Sequence, residues 1–217
     1  MYIAIGLGVL MVIWVLFSWL AIRNVEEPVY TLKEKRDGYE LRTYDSYIIA
    51  RTWVSSGSHN NAANNAFGII ADYIFGNNSI LEKIAMTIPV TSQESEKEIV
   101  DEPISEKIAM TKPVVTESSD IGMFVSFIMP NSYTLETLPK PNSDKVEIVE
   151  EPEKIMAVYS FNGWYATDER ISRAIESLQL KLEQDGVEVI GDPQVARYNP
   201  PFTIPFILRN EILIEVR

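Results

Sequence analysis

One order of local patterns occurs twice in this chain, and it limits the fold more than any other feature. In the first half, Tyr39-Glu-Leu-Arg-Thr-Tyr44 and residues 47–54 are rich in β-branched and aromatic side chains and meet at an Asp45-Ser46 turn. They read as two strands. From Asn60 the apolar period changes: Ala63, Phe67, Ile70 and Ile74 fall at helical spacing, and Gly76-Asn77-Asn78 stops the run. The second half repeats the plan. Residues 146–149 and 155–161 read as strands with a turn at Asn162-Gly163. A helix follows over 168–184, with Thr167 as its N-cap and Asp168 and Glu169 against the positive end of its dipole. Ile171, Ile175, Leu178 and Leu182 form its buried stripe, and Asp185-Gly186 closes it. Residues 187–190 and 211–216 read as further strands. The expectation is an α+β fold: two β-β-helix-β repeats forming a distorted antiparallel sheet or barrel with two helices.

Ahead of the repeats, Tyr2 to Ile22 carries no charged side chain, and Trp14, Phe17 and Trp19 gather toward its end. At about 1.5 Å per helical residue this run matches a hydrocarbon core of about 30 Å. It predicts a transmembrane helix at residues 1–23, a linker at 24–28 and one folded domain at 29–217. A cleaved signal peptide is the alternative, but nothing basic follows Met1 and Ser18-Trp19-Leu20 is a poor cleavage site. Arg23, Lys33, Lys35 and Arg36 all follow the run. The positive-inside rule then places the domain of a single-pass membrane protein in the cytoplasm.

A formal net charge of −12 over 217 residues opposes binding to phosphate backbones, so nucleic acid is not an expected partner. There is no cysteine, which removes disulfides, thiolate metal sites and cysteine nucleophiles. The single histidine, His59, cannot build a multi-histidine metal site and reads as a loop or capping residue. The pairs Glu150-Glu151 and Asp168-Glu169 suit solvated turn and helix-start positions better than acid–base work. No phosphate loop, nucleophile elbow or dinucleotide fingerprint is present. No catalytic residue and no metal ligand is assigned.

Two clusters remain. Glu82-Lys-Ile-Ala-Met-Thr-Ile-Pro-Val90 recurs as Glu106-Lys-Ile-Ala-Met-Thr-Lys-Pro-Val114. Alternation puts Ile84, Met86 and Ile88 on one face of a strand, and Ile108 and Met110 on the matching face of another. Core packing or the lining of an apolar pocket would each use such methionines. The polar stretch between them reads as an exposed acidic hairpin connection. The second cluster is Tyr198-Asn-Pro-Pro-Phe-Thr-Ile-Pro-Phe206, a stiff loop offering Phe202, Ile204 and Phe206. It could roof a pocket or serve as a structural cover. Arg209 and Glu211 are positioned to pair at its base.

Lys-Ile-Ala-Met-Thr-x-Pro-Val, Phe127-Ile-Met-Pro130, Leu138-Pro-Lys-Pro-Asn142, Tyr198-Asn-Pro-Pro201 and Arg209-Asn-Glu211 occur in this order. Together they make the chain from Val29 to Arg217 resemble the SOUL haem-binding family. The resemblance implies kinship with effector-binding domains and a tetrapyrrole in an apolar groove. That groove would lie between the first domain helix (Phe67, Ile70, Ile74) and the loop before the last strand (Phe202, Ile204, Phe206), with Met86 nearby. Members that ligate iron through histidine carry it between the Arg and Tyr of the first strand. Here Thr43 occupies that place, between Arg42 and Tyr44. The implied function is a membrane-anchored, non-catalytic protein that binds haem, another porphyrin or a flat hydrophobic small molecule. A ligand-free interaction module using the 92–106 stretch, and a hydrolase using a pocket carboxylate, are the alternatives.

Overall fold

The computed structural model describes residues 2–22, 25–55, 58–80, 105–119, 122–162, 166–200 and 203–217. Helix α1 (Tyr2–Ile22) precedes strand β1 (Tyr30–Arg36), which turns at Asp37-Gly38 into β2 (Tyr39–Tyr44). Gly38 holds φ at +89°, a left-handed turn conformation that a side chain would strain. Strand β3 (Tyr47–Val54), helix α2 (His59–Ile74), the short β4 (Asn78–Ser79), β5 (Val114–Ser119) and β6 (Gly122–Ile128) follow. Strand β7 (Lys140–Pro141) pairs with β4 in a separate two-stranded sheet. The second half holds β8 (Glu147–Glu151), β9 (Lys154–Asn162), α3 (Asp168–Gln184), β10 (Gln194–Arg197), a 3-10 turn at Pro205–Ile207 and β11 (Arg209–Glu215).

Nine strands form one antiparallel sheet in the order β1-β2-β9-β11-β10-β5-β6-β3-β8. The strands on either side of the Asp45-Ser46 turn do not pair with each other. Instead β2 pairs with β9, and β3 pairs with β6 and β8. Each repeat therefore lends its first strand to the other. This exchange dictates the shape. In a flat sheet the six steps from β2 to β3 would span about 29 Å, while Asp45-Ser46 lets Tyr44 and Tyr47 part by at most about 11 Å. The sheet must curl until its two ends approach, which gives a half-barrel. The short link from β8 to β9 imposes the same constraint.

Strand alternation then sorts the side chains. On one face α2 covers β3, β5 and β6, burying Ile70, Tyr73 and Ile74 against Val125 and Phe127. On the same face α3 covers β9 and β11, with Ile171, Leu178 and Leu182 on Ala157, Ile212 and Ile214. The opposite face gathers Tyr44, Met156, Val158, Ala196, Tyr198 and Leu213, and Tyr47 packs on them from the far half of the sheet. That meeting across the opening identifies it as the inner face. Thr167 caps α3 by accepting the Arg170 amide, and Gly186 ends it at φ +66°.

Several expectations are corrected. The fold is a curled nine-stranded antiparallel half-barrel with three helices, rather than two β-β-helix-β repeats with two helices and a membrane span. Each domain helix is followed by two strands of the large sheet, β5 and β6 after the first and β10 and β11 after the second. Residues 187–190 make only one bridge, Val189 to Val216, and the central strand there is β10. Residues 106–113 form no strand: Ile108 is buried, but Met110 is 38% exposed and Thr111 donates to the Ile128 carbonyl. The matching stretch 82–90 and the acidic connection lie outside the described residues. Among the described residues no helix is long and apolar enough to cross a membrane. Ser18 is buried and accepts the Ile204 amide at 3.2 Å, so the helix is tied to the loop before β11. The transmembrane anchor, the single-pass placement and the cytoplasmic side argued from it are all withdrawn on this finding.

Candidate functional site

The inner face carries a buried ionic network at its centre. In β2, alternation points Glu40, Arg42 and Tyr44 inward; Ser160 of β9, Tyr198 after β10 and Glu211 of β11 meet them. Glu211 accepts from Arg42 Nη1 at 3.2 Å, Ser160 Oγ at 2.9 Å, Tyr198 Oη at 2.6 Å and Arg209 Nη2 at 3.0 Å. Burial alone would raise its pKa, but Arg209, Tyr198, Arg42 and Ser160 together hold it below the usual carboxylate range. Burial works against the charge on Arg42, yet Glu211, Tyr44 and Glu40 keep its pKa raised. The Tyr44 hydroxyl is pushed up to about 12, chiefly by burial. The expected Arg209–Glu211 pair is therefore present, within a larger cluster. Arg209 also lies 3.8 Å above the Tyr198 ring and reaches Glu27 at 3.0 Å. The sequence reading assigned Arg42, Tyr198 and Glu27 no part in a charged cluster. The period-two placement of Arg42 and Tyr44 on one face of β2 was the available signal.

The residues expected to line a groove start on the helical face of the sheet. Phe67 projects from α2 over Phe127 of β6, with ring centroids 5.7 Å apart. Phe127 is paired to Val114 of β5, and Val114 to Arg197 of β10. This row leads directly into the loop that begins at Tyr198. Phe67 is 45% exposed and Phe206 is 59% exposed, whereas Ile70, Ile74 and Ile204 are buried. Ile70 and Ile74 belong to the core under α2, and Ile204 is tied to α1. Met86 and Phe202 lie outside the described residues.

His59 sits at the first turn of α2, where it approaches α3. Its Nδ1 lies 3.1 Å from Thr116 Oγ1 and its Nε2 lies 3.4 Å from Ser118 Oγ. Burial lowers its pKa, Arg197 adds to this, and Asp168 opposes it. Ser58 caps α2 and donates to Asp168 at 2.6 Å, joining the two helix starts. Arg197 donates to Thr116 and Asn60, and burial brings its pKa down to about 10. His59 is thus a half-buried joint between α2 and β5 rather than a loop residue.

A cavity of about 430 Å³ opens elsewhere, between Tyr47, Ile48, Met129, Tyr133 and Glu150. None of the described groove residues lines it. Asp45, Glu136 and Glu150 border it and no basic side chain does, so it disfavours an anionic ligand. Among the described residues no group of three or more His, Asp or Glu side chains could hold a metal ion. Among the described residues, Thr43 stands where the family's strand histidine would be, and His59 is engaged by Thr116 and Ser118.

The family model described as SOUL heme-binding protein matches residues 25–105 and 101–215. No match is found among curated protein sequences. Similar solved structures include the EcmrR C-terminal domain, at 9% identity and a TM-score of 0.57, covering 87% of this chain and 98% of that one. EcmrR in a DNA complex is similar at 12% identity and a TM-score of 0.54, over 85% of this chain and 60% of that one. A structure described as a hydrolase from Listeria innocua is similar at 10% identity and a TM-score of 0.50, over 85% of this chain and 94% of that one. At these identities the likeness concerns the fold.

Proposed function

The chain belongs to the SOUL heme-binding protein family, and from that premise we propose that it is a non-catalytic binding protein for haem, another tetrapyrrole or a similar flat apolar molecule. The ligand lies between α2 and the proline-rich loop before β11. One observation carries this reading: the row Phe127, Val114, Arg197 links the exposed Phe67 to the loop bearing Ile204 and Phe206. An exposed aromatic side chain on each wall suits a planar ring system, since stacking rewards a flat partner. Among the described residues neither Thr43 nor His59 offers an axial ligand, so the metal-free porphyrin is the more informative probe.

Two features support a binding role over hydrolysis. The central carboxylate, Glu211, is held charged by Arg42 and Arg209, whereas a general acid needs a raised pKa. The hydrolase label on a similar structure comes with 10% identity and transfers no residue.

The test is fluorescence quenching of protoporphyrin by the full chain, beside a Soret titration with haemin. Saturable binding at micromolar ligand is expected. Phe67→Ala and Phe206→Ala should each weaken it by roughly tenfold, the loss of about one aromatic contact. Leu180→Ala, an exposed site on α3, should leave it unchanged. Absence of saturable binding rules out a tetrapyrrole, and equal binding by both phenylalanine variants rules out this groove.

A further inference from the structure

His59 joins two hydroxyls on one face of β5. Thr116 and Ser118 lie two positions apart in that strand, so both side chains point toward α2, whose first residue is His59. The hydrogen-bond network assigns the tautomer of the ring. The Thr116 hydroxyl donates to the Val195 carbonyl at 3.5 Å and accepts from Arg197 Nη1 at 3.1 Å. Its other lone pair faces His59 Nδ1 at 3.1 Å, so Nδ1 carries the hydrogen. Nε2 is then a bare acceptor, and Ser118 Oγ stands 3.4 Å from it.

A hydroxyl set against an imidazole whose other nitrogen is held by a third group is the arrangement that activates a serine. The contact is long, as such contacts are before a reactant is bound. Burial and Arg197 of β10 lower the His59 pKa and Asp168 of α3 opposes them, so the ring is neutral and able to accept a proton at pH 7. Thr116 carries no charge to stabilise the imidazolium that forms, which makes Ser118 a slow nucleophile. The positive end of the α2 dipole lies beside the pair and favours the negative charge that develops on an attacked carbonyl. Ser118 and His59 are both half-buried rather than sealed in the core.

We propose that Ser118 is a nucleophile, activated by His59, that accepts the acyl group of small activated esters. Ser118 Oγ forms a bond to the carbonyl carbon, and its proton passes to His59 Nε2. The bond from that carbon to the leaving oxygen breaks, and its electron pair goes to that oxygen. The proton then leaves Nε2 for the released oxygen, or for solvent where the released group is a stable phenolate. Thr116 is a positioning residue that holds the tautomer. The product is a chain carrying one acyl group, a covalent modification without turnover. It goes beyond the binding role: the pair sits at the first turn of α2, about two turns before Phe67.

The experiment treats the full chain with p-nitrophenyl acetate and reads acetylation at each serine over time by peptide mass spectrometry. Ser118 should be acetylated roughly tenfold faster or more than Ser46, an exposed serine at a turn. Its rate should climb with pH to a plateau, with a midpoint below the ordinary histidine value of about 6.5. His59→Gln should slow it by on the order of a hundredfold, the low end of what a positioned base supplies. Thr116→Val should slow it by roughly tenfold, and Thr116→Ser should restore it, because the hydroxyl alone holds the tautomer. The Thr116 pair decides the matter where His59→Gln does not fold. Acetylation of Ser118 no faster than that of Ser46 overturns the proposal. So does a rate that rises in proportion to hydroxide without a plateau, or one that Thr116→Val leaves unchanged. Porphyrin binding enters none of these readouts, so failure of the tetrapyrrole reading leaves them as they stand.

Discussion

At the scale of single residues, Glu211 joins stability to the inner face. Its side chain is 1% exposed and that of Arg42 is 5% exposed, so neither charge has water to fall back on. Removing one partner of such a pair leaves a buried charge uncompensated, which typically costs about 3–5 kcal/mol. Glu211→Gln should therefore lower the unfolding free energy by about that amount at pH 7, read from urea titrations. The pH dependence follows from the direction of the shift. The folded pKa is depressed, so the stabilisation is complete above the unfolded value of about 4.3 and is lost as pH falls through the folded pKa. Wild type and Glu211→Gln should converge in stability as the pH drops below about 4. A difference that stays constant down to pH 2 would refute this assignment. The Arg209–Glu211 contact was legible in the sequence because two residues of opposite charge lie on one face of a strand. Arg42 was not, because its pairing depends on β2 lying two strands from β11, and no local pattern reports strand order.

At the scale of elements, the helices were the most legible parts and the central strands the least. The stripe Ile171, Leu178 and Leu182 is read at a period of 3.6 and is buried as expected. Strand β10 has four residues and is paired on both sides, so it offers no alternation to detect. The groove is a proposal that rests on family motifs rather than on local pattern. Phe67 and Phe206 are separated by 139 positions in the sequence, and the row of paired strands that relates them is a tertiary fact. The starts of α2 and α3 differ in a testable way. Ser58 accepts the Asn61 amide and also donates to Asp168, whereas Thr167 only accepts the Arg170 amide. Loss of a simple N-cap costs about 1 kcal/mol, and loss of a hydrogen bond to a charged group adds about 1.5 kcal/mol. Ser58→Ala should therefore be destabilising by about 1 kcal/mol or more beyond Thr167→Ala, measured from paired urea curves. Equal costs would mean that the link between the helix starts contributes nothing.

At the scale of the whole molecule, the exchange of first strands makes the two repeats interdependent. Among the described residues β2 is held by β1 and β9, and β8 is held by β3 alone. Separating the chain between β7 and β8 would strip β2 of β9 and leave β8 with no partner. It would also break the β10–β5 pair at the centre of the sheet and expose edges on both pieces. Each repeat resembles a unit when its sequence is read alone, yet neither contains a closed set of paired strands. Residues 25–143 and 144–217, produced separately, should therefore show no cooperative thermal transition and no near-ultraviolet circular dichroism. Mixed at equal concentration, they should regain both, because the β2–β9, β3–β8 and β10–β5 interfaces bring the pieces together. The intact chain should in turn unfold in one transition with coincident near- and far-ultraviolet signals across the domain. A 144–217 fragment that folds by itself would refute this, since α3 and β11 would then need neither β2 nor β5.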